Sequence, residues 1–192
     1  MVKYNFLQKF LIAIANRKLN MTPEELLIEY ENGERNFRDV KLPYESNLRG
    51  AMLAGADLGD ADLRKANLEG AYLSRTGLSR ANLAGANLRG ADLVGADLFR
   101  AYLLSADLSG ADLVGADLTE VNLHGAYLVE ADLRGVKNLD QALKIGHALL
   151  LNTIVTEAER AILDRAREEL ELYDLRELQR CMKDGMTKQL LH

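Results

Sequence analysis

The chain is short of cysteine, of long apolar runs and of surplus positive charge, and each shortage excludes something. Cys181 is the only cysteine in 192 residues, so no intramolecular disulfide can form. No stretch approaches the roughly 20 consecutive apolar residues of a membrane-spanning helix. The formal net charge is -5, and the acidic excess falls mainly on residues 46–135, with twelve acids to eight bases. Residues 1–45 balance at seven each, and residues 136–192 carry ten acids to nine bases. That balance argues against a general binder of nucleic acid or of anionic membranes, which needs a basic surface. The three histidines, His124, His147 and His192, are scattered and lack the spacing of metal ligands. No phosphate-binding loop, dinucleotide fingerprint or nucleophile motif is present. The expectation is a protein with no catalytic residues, no cofactor and no metal.

What the chain does have is a leucine at every fifth position from Leu48 to Leu133, eighteen in succession. Alanine stands two residues before nearly all of them, with Thr76 and Val121 among the exceptions. A five-residue step advances an α-helix by about 500°, so the leucines would spread around every side. A strand has period two, so leucines five apart would alternate faces. A turn at each repeat resolves the conflict: leucine and alanine point inward and the other three residues outward. Glycine two positions after the leucine, as at Gly50, Gly90 and Gly115, supplies the positive φ such a turn needs. A short fixed period of this kind signals a solenoid. Leucines twenty apart, such as Leu48, Leu68, Leu88, Leu108 and Leu128, should stack. So should Asp92, Asp112 and Asp132, with Asp97 and Asp117 on the next face.

The triplets Ala61-Asp62-Leu63, Ala66-Asn67-Leu68, Ala91-Asp92-Leu93 and Ala111-Asp112-Leu113 resemble the A(D/N)LXX motif of the pentapeptide-repeat proteins. The resemblance covers roughly residues 35–135, and the lead-in from Leu26 to Phe37 is similar to that of cyanobacterial members. It implies an all-β solenoid, a right-handed quadrilateral β-helix with one repeat per face. Counting Phe37 and Leu42 as central residues gives about five coils, a stack roughly 24 Å long at strand spacing. The step from Leu42 to Leu48 is one residue too long, which places a bulge at Pro43 and Tyr44.

Such a stack needs caps at both ends, and helical signals flank it. Residues 1–34 are read as an N-terminal helical cap, 35–137 as the β-helix and 138–192 as a C-terminal helical segment. Phe6, Leu7, Phe10, Leu11 and Ile14 form one helical stripe. Gln8 and Lys9 interrupt it, so it reads as a folded helix rather than a signal peptide, although a membrane-surface helix would show the same stripe. The expected location is cytoplasmic. Thr22, Pro23 and Glu25 open a second helix that Gly33 ends. Beyond the repeats, Asn138 is expected to cap a helix carrying Leu139, Ala142, Leu143 and Leu149 to Leu151. Thr156 and Glu159 should open another through Ala158, Ile162, Ala166 and Leu170, and Asp174 a third. These helices either pack as a small bundle or leave an apolar face for a partner.

The aspartates before the leucines read as turn residues bonded to backbone amides, and Cys181 as a packing residue. His124 reads as a surface residue of its repeat. The informative residues are the apolar ones at outward positions: Val94, Phe99, Tyr102, Leu104 and Val114. Val94 and Val114 fall on one face, Phe99 on the next and Leu104 on the one after. Scattered surface apolars or a strip for the protein's own terminal helix would look the same. As a candidate site they are partner-binding residues. The expected function is a noncatalytic protein–protein interaction or scaffold module with an unidentified protein partner, monomeric or weakly dimeric. The alternative implied by the resemblance is a DNA-mimicking modulator of DNA gyrase or topoisomerase. The interleaved Arg49, Arg64, Arg75, Arg80, Arg89 and Arg100 depart from that pattern.

Overall fold

The computed structural model describes residues 19–142 and 148–168. The expected helix through Phe6 to Ile14, the one beginning at Asp174, and Cys181, His147 and His192 lie outside the described residues.

The five-residue period builds four faces. On each, the residue before the central leucine makes a single parallel bridge to its counterpart one rung on. The first face stacks Asn36, Asp57, Gly77, Asp97, Asp117 and Lys137, and the second stacks Asn20, Lys41, Asp62, Asn82, Tyr102 and Asn122. The third runs Asn47, Asn67, Asn87, Asp107, Tyr127 and Leu149, and the fourth Met52, Tyr72, Asp92, Asp112, Asp132 and Ile154. The expected stacking of Asp92 with Asp112 and Asp132, and of Asp97 with Asp117, is present. Each column holds six residues rather than five. The added rung comes from Asn20, Lys137, Leu149 and Ile154; Met21, Asn138 and Val155 replace the marking leucine in three of these, and Leu150 keeps it in the fourth but falls outside the five-residue period.

Between faces the chain turns, and the amide after each turn donates to the central leucine's carbonyl, as from Ala91 to Leu88 at 3.1 Å. The second residue after the leucine sits at positive φ. Glycine fills that place at Gly90 (φ 61°), but Arg75, Arg80, Lys65 and Glu120 also occupy it, at 53–57°. Glycine is therefore not required at this turn. The inward leucines and alanines of the repeat from Leu53 to Leu133 are 0–1% exposed, and so are the substituted corners Thr76 and Val121. At one such corner Thr76 is fully buried, and its hydroxyl donates to the Leu53 carbonyl at 3.0 Å. Ser46 fills another corner and donates to the Pro43 carbonyl.

The bulge at Pro43 and Tyr44 is where expected. Asn36 bridges Asp57 and Lys41 bridges Asp62, whereas Asn47 bridges Asn67, so one extra residue lies between Leu42 and Asn47. Helix α1, Pro23–Glu31, has the full Thr22–Glu25 capping box. At its other end the Gly33 amide donates to Tyr30 and that of Glu34 to Glu29, the paired bonds of a Schellman ending. Leu26 is fully buried against the core, and the Tyr30 hydroxyl donates to the Ala54 carbonyl at 2.8 Å.

The helix expected from Asn138 through Leu151 is corrected. Among its described residues, only Leu139–Gln141 is helical, as one 3-10 turn, and Asn138, left-handed at φ 55°, makes no side-chain cap. Leu149 and Ile154 instead bridge Tyr127 and Asp132, so the chain returns to the solenoid after a two-residue insertion. Three consecutive leucines in this register alternate out, in, out, which a helical reading cannot distinguish from one apolar turn. Helix α2, residues 157–168, then closes the end. Its inner side is Glu159, Ile162, Leu163 and Ala166, while Ala158, expected there, is exposed.

Candidate functional surface

The outward side chains divide into those that hold the scaffold and those left over. Aspartate or asparagine before the leucine accepts the backbone amide two residues on, at 3.0 Å for Asp92 with Val94 and for Asp112 with Val114. These are turn-holding bonds, as expected. Several carboxylates also pair with arginine. The Arg64 side chain, bonded to Asp62 at 2.6 Å, holds that carboxyl below its usual range despite partial burial. Arg80, with Arg38, does the same for Asp60, and Arg134 for Asp132. Arg100 pairs with Glu120 at 2.7 Å across two rungs. Seven of the twelve acids on residues 46–135 lie within ion-pair distance of an arginine. Among the described residues, no group of three or more His, Cys, Asp or Glu could hold a metal ion. No helix among them is long and apolar enough to cross a membrane.

The five candidate residues are placed as their register requires but are not equally available. Val94 stacks on Val114 at the corner after the fourth face, and both are half-buried. Phe99 is half-buried, with the Arg100 guanidinium 4.8 Å from its ring centroid. Tyr102 and Leu104, on the second face, are 53% and 42% exposed. Phe99, Tyr102 and Leu104 thus belong to one rung and wrap from the first face to the second. His124, read as a surface residue, is half-buried.

Two further apolar patches were missed. Met52 and Tyr72 are exposed together at the start of the fourth face. At the far end of the third face Tyr127, Leu149 and Leu151 are 48%, 49% and 59% exposed. Below them an open groove of about 560 Å³ is lined by Arg89, Asp107, Ser109, Tyr127, Val129 and Glu130, among others. Tyr127 and Val129 at outward positions were a legible signal. Leu149 and Leu151 were not, because their outward direction depends on a register restored after an insertion.

The sequence profile described as Pentapeptide repeats matches eight copies, over residues 44–76, 77–113 and 96–135. No curated protein matches the chain. Among solved structures, the chain is 34% identical to alr5209, a pentapeptide repeat protein from Nostoc Pcc 7120, covering 73% of this chain and 99% of that one at a TM-score of 0.38. It is 30% identical to Rfr23, a pentapeptide repeat protein from the cyanobacterium Cyanothece 51142, over 56% of this chain and 66% of that one, at a TM-score of 0.45. HetL of Nostoc sp. Strain PCC 7120, a pentapeptide repeat protein involved in heterocyst differentiation regulation, is 28% identical over 69% of this chain and 72% of its own, at a TM-score of 0.25.

Proposed function

Since the chain belongs to the pentapeptide repeat family, we propose that it is a noncatalytic protein–protein interaction module that holds its partner on outward residues departing from the repeat. The right-handed quadrilateral β-helix of that family is the reading given to its four columns. One observation carries the function: Tyr102 and Leu104 are 53% and 42% exposed at positions where the rung below has Asn82 and Ala84. Neither the turn nor the core asks for an apolar side chain there, so its use is external. Val94, Phe99 and Val114 flank them as the rest of the proposed surface. The proposal keeps a cytoplasmic location and a monomeric or weakly dimeric state, to be read by cell fractionation and light scattering.

Mimicry of DNA toward gyrase or topoisomerase asks for a surface of uncompensated negative charge. Asp60, Asp62, Asp107, Asp132 and Glu120 all sit within ion-pair distance of arginine. That weighs against the second reading. The direct test is affinity capture from the native cell with the wild type and with Phe99→Asp/Leu104→Asp. The proposal expects a protein held by the first and lost by the second at unchanged circular dichroism. Equal recovery by a folded double variant would sink it.

A further inference from the structure

The end of the third face combines concavity, exposed apolar surface and an open charge in one place. Tyr127 bridges Leu149, and the Glu130 amide donates to the Leu151 carbonyl at 2.9 Å, so the exposed wall spans two adjacent rungs. The groove of about 560 Å³ opens beneath that wall. Within it, Arg89 lies 3.1 Å from Asp107, which cancels both charges. The exposed Glu130 carboxylate has no ion-pair partner among the described residues. The floor at Gly110 (φ 68°) is bare, with nothing within 4 Å of where a Cβ would stand. An extended side chain can lie flat across it.

We propose that this surface receives a short basic and aliphatic segment of a partner protein. An arginine or lysine seats between the Tyr127 ring and the Glu130 carboxylate, and an apolar neighbour lies against Leu149 and Leu151. The ring face attracts a cation and the carboxylate accepts its hydrogen bonds. Aliphatic contact removes Leu149 and Leu151 from water. An acidic segment would face Glu130 unpaired, so charge sets the preference. This inference rests on the interaction reading and assigns it a second surface with a stated partner chemistry.

The test is selection of a random dodecapeptide library, displayed on phage, on the full chain. The expected result is enrichment of arginine or lysine beside leucine, isoleucine or valine. Glu130→Arg should weaken the best synthetic peptide about tenfold, a 1.4 kcal/mol change, and Tyr127→Ser should weaken it as well. The arginine variant is expected to fold, since Arg75, Arg80 and Arg100 occupy the equivalent turn position at positive φ. Enrichment of acidic or charge-indifferent peptides, no enrichment, or unchanged binding by a folded Glu130→Arg would each overturn the inference. Phe99→Asp/Leu104→Asp separates the two proposals. If it loses a native partner while the third face selects nothing basic, the interaction reading stands and this inference falls.

Discussion

Leu88 shows what one residue contributes. It is 1% exposed in the column running through Leu68 and Leu108, and stacked rungs leave little room to collapse into a void. Leu88→Ala is expected to cost about 2–5 kcal/mol, read as a lowered urea midpoint. The turn position gives a finer comparison. Gly90 and Arg75 both hold left-handed backbone, at φ 61° and 56°. A side chain there costs roughly 1–2 kcal/mol of steric strain. Gly90→Ala is therefore expected to destabilise and Arg75→Gly to stabilise, each by about 1 kcal/mol after the glycine's extra unfolded-chain entropy is subtracted, measured by the same unfolding curves. The leucine and alanine positions were legible because only an inward direction explains their spacing. The tolerance of the turn for Arg, Lys and Glu was not, since glycine is common enough there to look necessary.

At the scale of elements, helices α1 and α2 close the ends by different means. Helix α1 is held by its own caps, which follow from Thr22, Glu25 and Gly33 and could be read directly. Helix α2 is tied to the solenoid by Glu159, which is 8% exposed. Its carboxylate accepts from the Thr156 amide at 2.6 Å, the Thr156 hydroxyl at 2.7 Å and the Gly135 amide at 2.7 Å. Burial raises this carboxyl's pKa, but those donors outweigh it and leave the group below its ordinary 4.5. A group depressed on folding stabilises fully above its unfolded value, and that contribution is lost as pH falls through the folded one. Acid unfolding below about pH 4.5 should therefore be shallower in Glu159→Gln than in the wild type, followed by circular dichroism. The capping role of Glu159 was visible from its spacing to Thr156. Its bond to Gly135 joins residues 24 apart in sequence, and nothing local announces it. The same holds for Leu149 and Ile154, which rejoin the stack only after an insertion that breaks the period. Periodic positions are legible because neighbours repeat the message, and a register recovered after a break depends on contacts between distant residues.

At the scale of the whole molecule, the scaffold uses most of its polar groups on itself. Turn aspartates bind amides, arginines bind carboxylates, and the leucines fill the interior. Each exposed ion pair contributes about 0–1 kcal/mol, so their main effect is to neutralise charge locally. Against that surface the departures from the repeat stand out: Phe99, Tyr102 and Leu104 on one rung, and Tyr127, Leu149 and Leu151 at the end of the third face. The candidate residues were legible because they break a strict pattern. Their unequal exposure was not, since the Arg100 contact on Phe99 depends on side-chain packing. The most direct measurement grafts the rung below onto the rung in question. Phe99→Ser, Tyr102→Asn and Leu104→Ala together install the residues found at Ser79, Asn82 and Ala84. Binding of the captured partner is then titrated for the wild type and the triple variant, alongside their melting temperatures. The account predicts unchanged melting and loss of binding. A folded triple variant that binds its partner as tightly as the wild type would contradict it.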